Sequence, residues 1–361
     1  MKKQLFILAL VISTFVSCSN TEESEDNVLI EGLTVPRAGN TRLSSLLTNN
    51  LVITPLETND ESLIGRIDKI KKFKGDYYIC SSNRRVIHRF DSKGKFVSSL
   101  NCLGMGPEEY LRIEDFDVCE VNGEIEVWVS DNHNLKIFDA STFSFKYKIS
   151  FPYMIHKFKR IDSSRVLLVT GMSEHILTLT DEHGNVISEY LEKEIPFIMF
   201  RPVQFISYES NYIFQLGIAN AYVMFDSDTN NFQEGVFSNQ KDFLTKKELL
   251  DYFESFGTDF IGKANEGIYI NSMVRNKDNI WLLINNNRKR YIVKCLKDEM
   301  VSSEITNNPL LSSFGIGESD DSLLLYAHSE EILECEDELL DKYKNEIQYN
   351  IDNNPYILEF F

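Results

Sequence analysis

Val86-Ile87-His88-Arg89-Phe90-Asp91-Ser92-Lys93-Gly94-Lys95-Phe96-Val97-Ser98-Ser99-Leu100 reads as one strand, a tight turn opened by Asp, and a second strand. The two flanking runs are short and β-rich. Between them, Asp can bond its own backbone two residues on, and Gly supplies a left-handed conformation. The phrase returns at Phe138-Asp139, at Leu179-Thr180-Asp181-Glu182-His183-Gly184 and at Phe225-Asp226. The aspartates are 48, 42 and 45 residues apart, the length of a four-stranded propeller blade.

Working outward, Ile67 to Phe73 and Tyr77 to Ser81, parted by Gly75-Asp76, complete blade one as strands a and b. Blade two follows with Phe116 to Val121, the hairpin signal Asn122-Gly123, Glu126 to Val129, Leu135 to Phe138 and Phe145 to Ile149. Blades three, four and five span Ile155 to Leu191, Val203 to Phe237 and Ile268 to Ile305. A sixth has only three strands at the C-terminal end: Phe314 to Glu318, Leu323 to Ala327 and Tyr356 to Phe361. The missing one is Leu51-Val52-Ile53-Thr54-Pro55-Leu56, whose proline suits a sheet edge. The expectation is an all-β chain: a six-bladed β-propeller of four-stranded blades over residues 50–361, closed by the N-terminal strand.

Leu56-Glu57-Thr58, Ser62-Leu63-Ile64-Gly65-Arg66-Ile67, Phe90-Asp91 through Phe96, Gly104-Met105-Gly106-Pro107-Glu108-Glu109-Tyr110 and Asn354-Pro355 together resemble the 6-bladed β-propeller lipoproteins of gut bacteria, relatives in architecture of NHL-repeat propellers. The resemblance covers about residues 50 to 361, and the Gly-x-Gly-Pro-x-Glu-Tyr phrase is its most specific part. It implies a fold and an address, and no common activity.

The N-terminus carries that address. Lys2 and Lys3 precede the apolar run Leu5 to Ile12, and residues 1–17 read as a signal peptide too short to span a membrane. Phe15-Val16-Ser17-Cys18 resembles a bacterial lipobox, which implies a lipid on Cys18 and, through it, a membrane as partner. Residues 18–49 then read as a flexible acidic tether, opened by Ser19-Asn20-Thr21-Glu22-Glu23-Ser24-Glu25-Asp26. The acidic cluster resembles the export signal of lipoproteins displayed on the outer membrane surface of Gram-negative gut anaerobes. A periplasm-facing lipoprotein is the alternative.

Of 361 residues, 43% are hydrophobic and 12% aromatic, which excludes a disordered chain. With 37 Lys+Arg against 55 Asp+Glu and a net charge of −18, no basic surplus exists for nucleic acid. Five cysteines besides Cys18 show no Cys/His spacing for zinc, and Cys80, Cys119 and Cys295 fall inside strand-like runs as small hydrophobes.

Strand order sorts the loops. The a–b and c–d connections are tight turns on one side, while the b–c and d–a connections on the other are long. The loop Gly104 to Tyr110 joins blades one and two and is expected to present Glu108, Glu109 and Tyr110. Two helical insertions share that face. One follows the capping box Thr245-Lys246-Lys247-Glu248, with Leu249, Phe253 and Phe256 on one side; the other lies between Ser329 and Asn354, with Leu333, Leu340 and Ile347 in a stripe. The b–c loops add Arg84, Arg85, Asn132, His133, Glu174, His175, Asn285 and Arg288, amides and charges suited to a glycan, peptide or protein ligand. The leading reading is a binding module with no catalytic residue, cofactor or metal assigned. A lactonase- or lyase-type enzyme with a metal at the channel mouth, and a scaffold for other surface proteins, are the alternatives.

Overall fold

The computed structural model describes residues 27–34, 46–47, 50–81, 83–171, 173–193, 199–277, 279–296, 299–305, 308–335 and 338–361. Six sheets form the ring. Blade one is Lys69–Phe73, Asp76–Ser81, Val86–Phe90 and Phe96–Leu100, each strand antiparallel to the next. Blades two to five have the same four-stranded meander over 115–150, 154–192, 205–235 and 268–305.

Blade six is assembled from both ends of the domain. Leu51–Pro55 pairs antiparallel with Tyr356–Phe360, from Leu51 opposite Phe360 to Pro55 opposite Tyr356, as the closing strand. Tyr356–Phe360 in turn pairs with Leu323–Ala327. The expected inner strand Phe314 to Glu318 is shorter than the sequence suggests. Only Gly317–Glu318 is extended, and it pairs parallel with Lys69–Phe73 of blade one rather than with its own blade. A Cβ on Gly317 would stand 2.4 Å from the Leu324 carbonyl oxygen, so the backbone passes too close for a side chain there. The ring closure is tightened at Gly94, where φ is +76° and a Cβ would stand 2.1 Å from the Pro55 carbonyl oxygen. The Glu57 N–H donates to the Gly94 carbonyl at 2.8 Å.

Alternating residues of neighbouring blades pack face to face, so the core consists of wedges between blades. Leu100, Phe116, Val127 and Phe138 fill the first junction, and Trp128, Ile137, Ile155 and Leu168 the second. Leu324, Ile357, Ile70 and Tyr77 join blade six to blade one. The five described cysteines are free thiols, and burial raises Cys119 and Cys295 to about 12, so neither is poised as a nucleophile.

The tether and the helical insertions also depart from expectation. Residues 27–34, assigned to the tether, dock on the propeller: the Leu29 and Ile30 amides donate to the Val236 and Phe237 carbonyls at 2.9 and 3.0 Å. Ile30 and Leu33 are buried in the wedge between blades four and five, and Leu46 and Leu47 in the wedge between blades five and six. Apolar residues inside an acidic stretch outweigh its composition once a groove between blades receives them. Leu33→Ala should therefore lower stability by about 2–4 kcal/mol, read from a urea midpoint. A shift below about 0.5 kcal/mol, the surface range, would place Leu33 outside the core.

The helical insertions differ in part from the expected stripes. Lys246–Phe256 forms with Thr245 as its cap, and both bonds of the capping box are present. Leu249 is buried and Phe253 packs beside it, but Phe256 is 50% exposed at the last turn. The insertion after Ser329 breaks into Ser329–Glu334, Glu338–Asp341 and a turn at Lys344–Glu346, because Cys335 is extended. Ile332, Cys335 and Leu340 are buried and Ile347 packs beside them, while Leu333 is only half-buried, so the stripe does not run through Leu333.

Candidate ligand-binding face and the channel behind it

The repeated aspartates close turns. Asp91 Oδ1 accepts from the Lys93 and Lys95 amides at 2.8 and 2.9 Å. Asp139, Asp181 and Asp226 do the same two to four residues on. Hydrogen bonds, that of the Ser141 hydroxyl first, hold the Asp139 carboxyl down at about 2. The tight-turn side is thus committed to its own backbone. Among the described residues, no a–b or c–d turn carries an exposed large hydrophobic.

The opposite face exposes Leu103, Met105, Leu111, Phe200, Phe256, Tyr349 and Ile351. Three of these belong to the connection between blades one and two, where Met105 is 90% exposed. That loop is held rigidly. The Tyr110 amide donates to the Cys102 carbonyl at 2.9 Å, the Gly104 amide to the Tyr110 carbonyl at 3.1 Å, and the Gly106 amide to Glu109 Oε2 at 2.8 Å. The Tyr110 hydroxyl, inside the core, donates to the Arg85 and Leu100 carbonyls, both at 2.9 Å. Next to the loop lies a cavity of 460 Å³ lined by Arg85, Leu111, Arg112, Ile113 and Glu114. Asp131 of blade two accepts from the Leu111 and Arg112 amides at 3.4 and 3.3 Å and so holds this stretch in place.

Behind this face the innermost strands bring buried charged side chains together. Lys69, Asp115 and Lys157 form an upper layer, with Asp115 2.9 Å from Lys69 and 3.7 Å from Lys157. Below it, Glu318 stands 2.5 Å from Lys71 and 2.7 Å from Lys159, and Asp117 stands 3.5 and 3.2 Å from the same two ammonium groups. Burial works to raise the Glu318 carboxyl, but Lys159, Lys71 and Lys69 outweigh it and hold it well below the usual range. Burial likewise opposes the Lys69 charge, and Asp115, Glu318 and Asp117 more than restore it. Charged side chains of blades one, two, three and six therefore do meet, as alternating ion pairs. Among the described residues no group of three or more His, Cys, Asp or Glu side chains is placed to hold a metal ion.

Residues 34–360 match the family model of a domain of unknown function, DUF4934. The chain belongs to the DUF4934 family. Among the solved structures similar to this DUF4934 chain, two carry the fold comparison. One is of a protein described as exported, from Bacteroides fragilis, with 15% identity, a TM-score of 0.75, and 92% of this chain and 99% of that one covered. The other is a member of the DUF4221 family from Bacteroides vulgatus, with 12% identity, a TM-score of 0.54, and 86% and 96% covered. No curated protein matches the chain.

The fold does not gather the sequence-derived site residues of the DUF4934 chain into one place. Arg85 adjoins the loop of Glu108 and Glu109 through its carbonyl, which accepts from Tyr110, whereas Arg84 lines a separate cavity of 710 Å³ with Asp60, Glu61 and His88. Tyr110 is fully buried and holds the loop rather than being presented by it, because its ring fills the wedge between blades one and two. Glu109 is exposed but staples Gly106. Asn132 and His133 are half-buried in blade two, their carbonyls accepting from Ile155 and Phe151. Glu174 is exposed in blade three, and His175 lies 3.7 Å from Glu189. Asn285 is buried and donates to the Asn265 and Gly267 carbonyls, which ties blade five to its helical insertion. Arg288 is exposed, 3.7 Å from Glu266. Cys18 lies outside the described residues, as do the rest of the signal segment and the acidic cluster. Sequence reading missed Leu111 to Glu114, although they directly follow the most specific loop, and it missed the channel charges.

Proposed function

We propose that this DUF4934 chain is an exported lipoprotein, anchored in the outer membrane through Cys18, whose elaborated face captures an extracellular glycan, peptide or protein. The supporting observation is the asymmetry of the two sides. One is made of turns whose polar groups are consumed by their own backbone; the other presents a rigid loop, exposed apolar side chains and an open cavity with two arginines. No helix among the described residues is long and apolar enough to cross a membrane, so anchoring rests on the lipobox resemblance.

The address is tested by Cys18→Ala, which should release or misroute the protein, with globomycin blocking processing of the parent. Retention of the mutant in membranes would contradict the anchor. Protease added to whole cells should degrade the chain if it faces outward. For the face, a hit from glycan and peptide arrays should protect the 101–114 amides from hydrogen exchange. Protection confined to the turns at 91–95 and 181–185 would contradict the assignment.

A further inference from the structure

The cavity between blades one and two has a charge opposite to that of the chain around it. It holds Arg85, Arg112 and Glu114 in a protein of net charge −18. Arg112 pairs with Glu114 at 2.8 Å through one guanidinium nitrogen. Arg85 makes no ion pair among the described residues, although the sequence contains 55 acidic groups.

Its backbone is held at φ +56°, a conformation costly for a side chain of this size, and its carbonyl is pinned by the buried Tyr110 hydroxyl. Loop closure at Cys102 and Tyr110 and the Asp131 bonds fix the other wall. Both walls are therefore ordered before any ligand arrives, which removes much of the entropic cost of binding. The remaining lining is aliphatic, Leu111 and Ile113, with no aromatic ring on which a sugar could stack.

We propose that this cavity recognises a carboxylate of an acidic peptide segment, with Arg85 and the free edge of Arg112 binding the carboxylate and Leu111 and Ile113 receiving the adjoining aliphatic carbons. The inference rests on the binding-face reading and names the ligand class within it. Guanidinium groups bind carboxylates through two parallel N–H donors, the strong form of charge-assisted hydrogen bond.

The test uses the full-length chain and a fluorescein-labelled peptide of alternating Glu and Leu, followed by fluorescence anisotropy at rising salt. Binding should weaken as salt rises and fall at least about ten-fold when the peptide's Glu residues become Gln. Arg85→Asn, which tolerates left-handed backbone, and Arg112→Gln should each weaken it by about the same factor, while Arg85→Lys retains part of it and Lys93→Ala changes nothing. Equal affinity for the Glu and Gln peptides, or binding undiminished in both arginine variants, would overturn the proposal. So would Arg85-dependent binding of tri-galacturonate in place of the peptide. Each of these is distinguishable from failure of the face reading, which would show as ligand protection confined to the turns or as equal loss of affinity from the turn substitutions.

Discussion

Deleting Leu51–Leu56 is expected to abolish the cooperative unfolding transition. The segment supplies a whole strand of blade six, five residues in register with Tyr356–Phe360, and buries Leu51, Thr54 and Leu56. Leu51 packs with Leu323, Leu358 and Phe360, and Leu56 with Ile67 and Phe90 of blade one. Each leucine contributes about 1.5–3 kcal/mol by burial. Loss of the ladder bonds exposes a full sheet edge as well. The total is on the order of the 5–15 kcal/mol that holds a typical domain folded. Deleting residues 19–26, which precede the docked segment, should leave the melting temperature unchanged. Equal melting temperatures for the two truncations would show that the ring is not closed by this strand.

Glu318→Ala is expected to cost about 3–5 kcal/mol, because it strands Lys71 and Lys159 in the channel without their closest carboxylate. Replacing Lys71, Lys159, Asp117 and Glu318 together by apolar residues of similar size should recover most of that loss, since a buried ion network contributes little beyond its own desolvation. Stability should also fall at both pH extremes. The Glu318 carboxyl is depressed in the folded state, so its contribution is present above the ordinary carboxylate range and lost as acid protonates it. Lys69 is raised, so its contribution is present below the ordinary lysine range and lost as base removes its proton. A Glu318→Ala chain as stable as the parent, with an unchanged acid limb, would contradict the ion-pair account of the channel.

Much of the ring is legible in the sequence because its turns obey local chemistry. Asp91, Asp139, Asp181 and Asp226 recur because each accepts its own following amides, a requirement confined to a few residues. The closing strand is legible from its β-branched run and proline. What is not legible depends on partners distant in sequence. Ile30 and Leu33 look like stray apolar residues until the groove between blades four and five is formed. Tyr110 follows two glycines in a loop and reads as displayed, yet its hydroxyl meets carbonyls 25 and 10 residues away. The channel charges leave a trace that could have been used: Lys69-Ile70-Lys71, Asp115-Phe116-Asp117 and Lys157-Phe158-Lys159 repeat one period-two pattern on inner strands. The cavity at Arg85 needs two connections, 26 residues apart at Leu111, to be brought side by side.

The central claim, that one side of the propeller binds and the other does not, is tested most directly by paired substitutions read against an array-identified ligand. Arg85→Asn, Glu108→Ala and Arg112→Gln change the elaborated face; Lys93→Ala, His183→Ala and Asp228→Ala change exposed positions on the turns. The account predicts that the first set weakens binding by about ten-fold or more with melting temperatures near the parent's, since exposed loop positions contribute little to folding, and that the second set leaves affinity unchanged. Equal loss from the turn set, or full affinity in the face set, would contradict it.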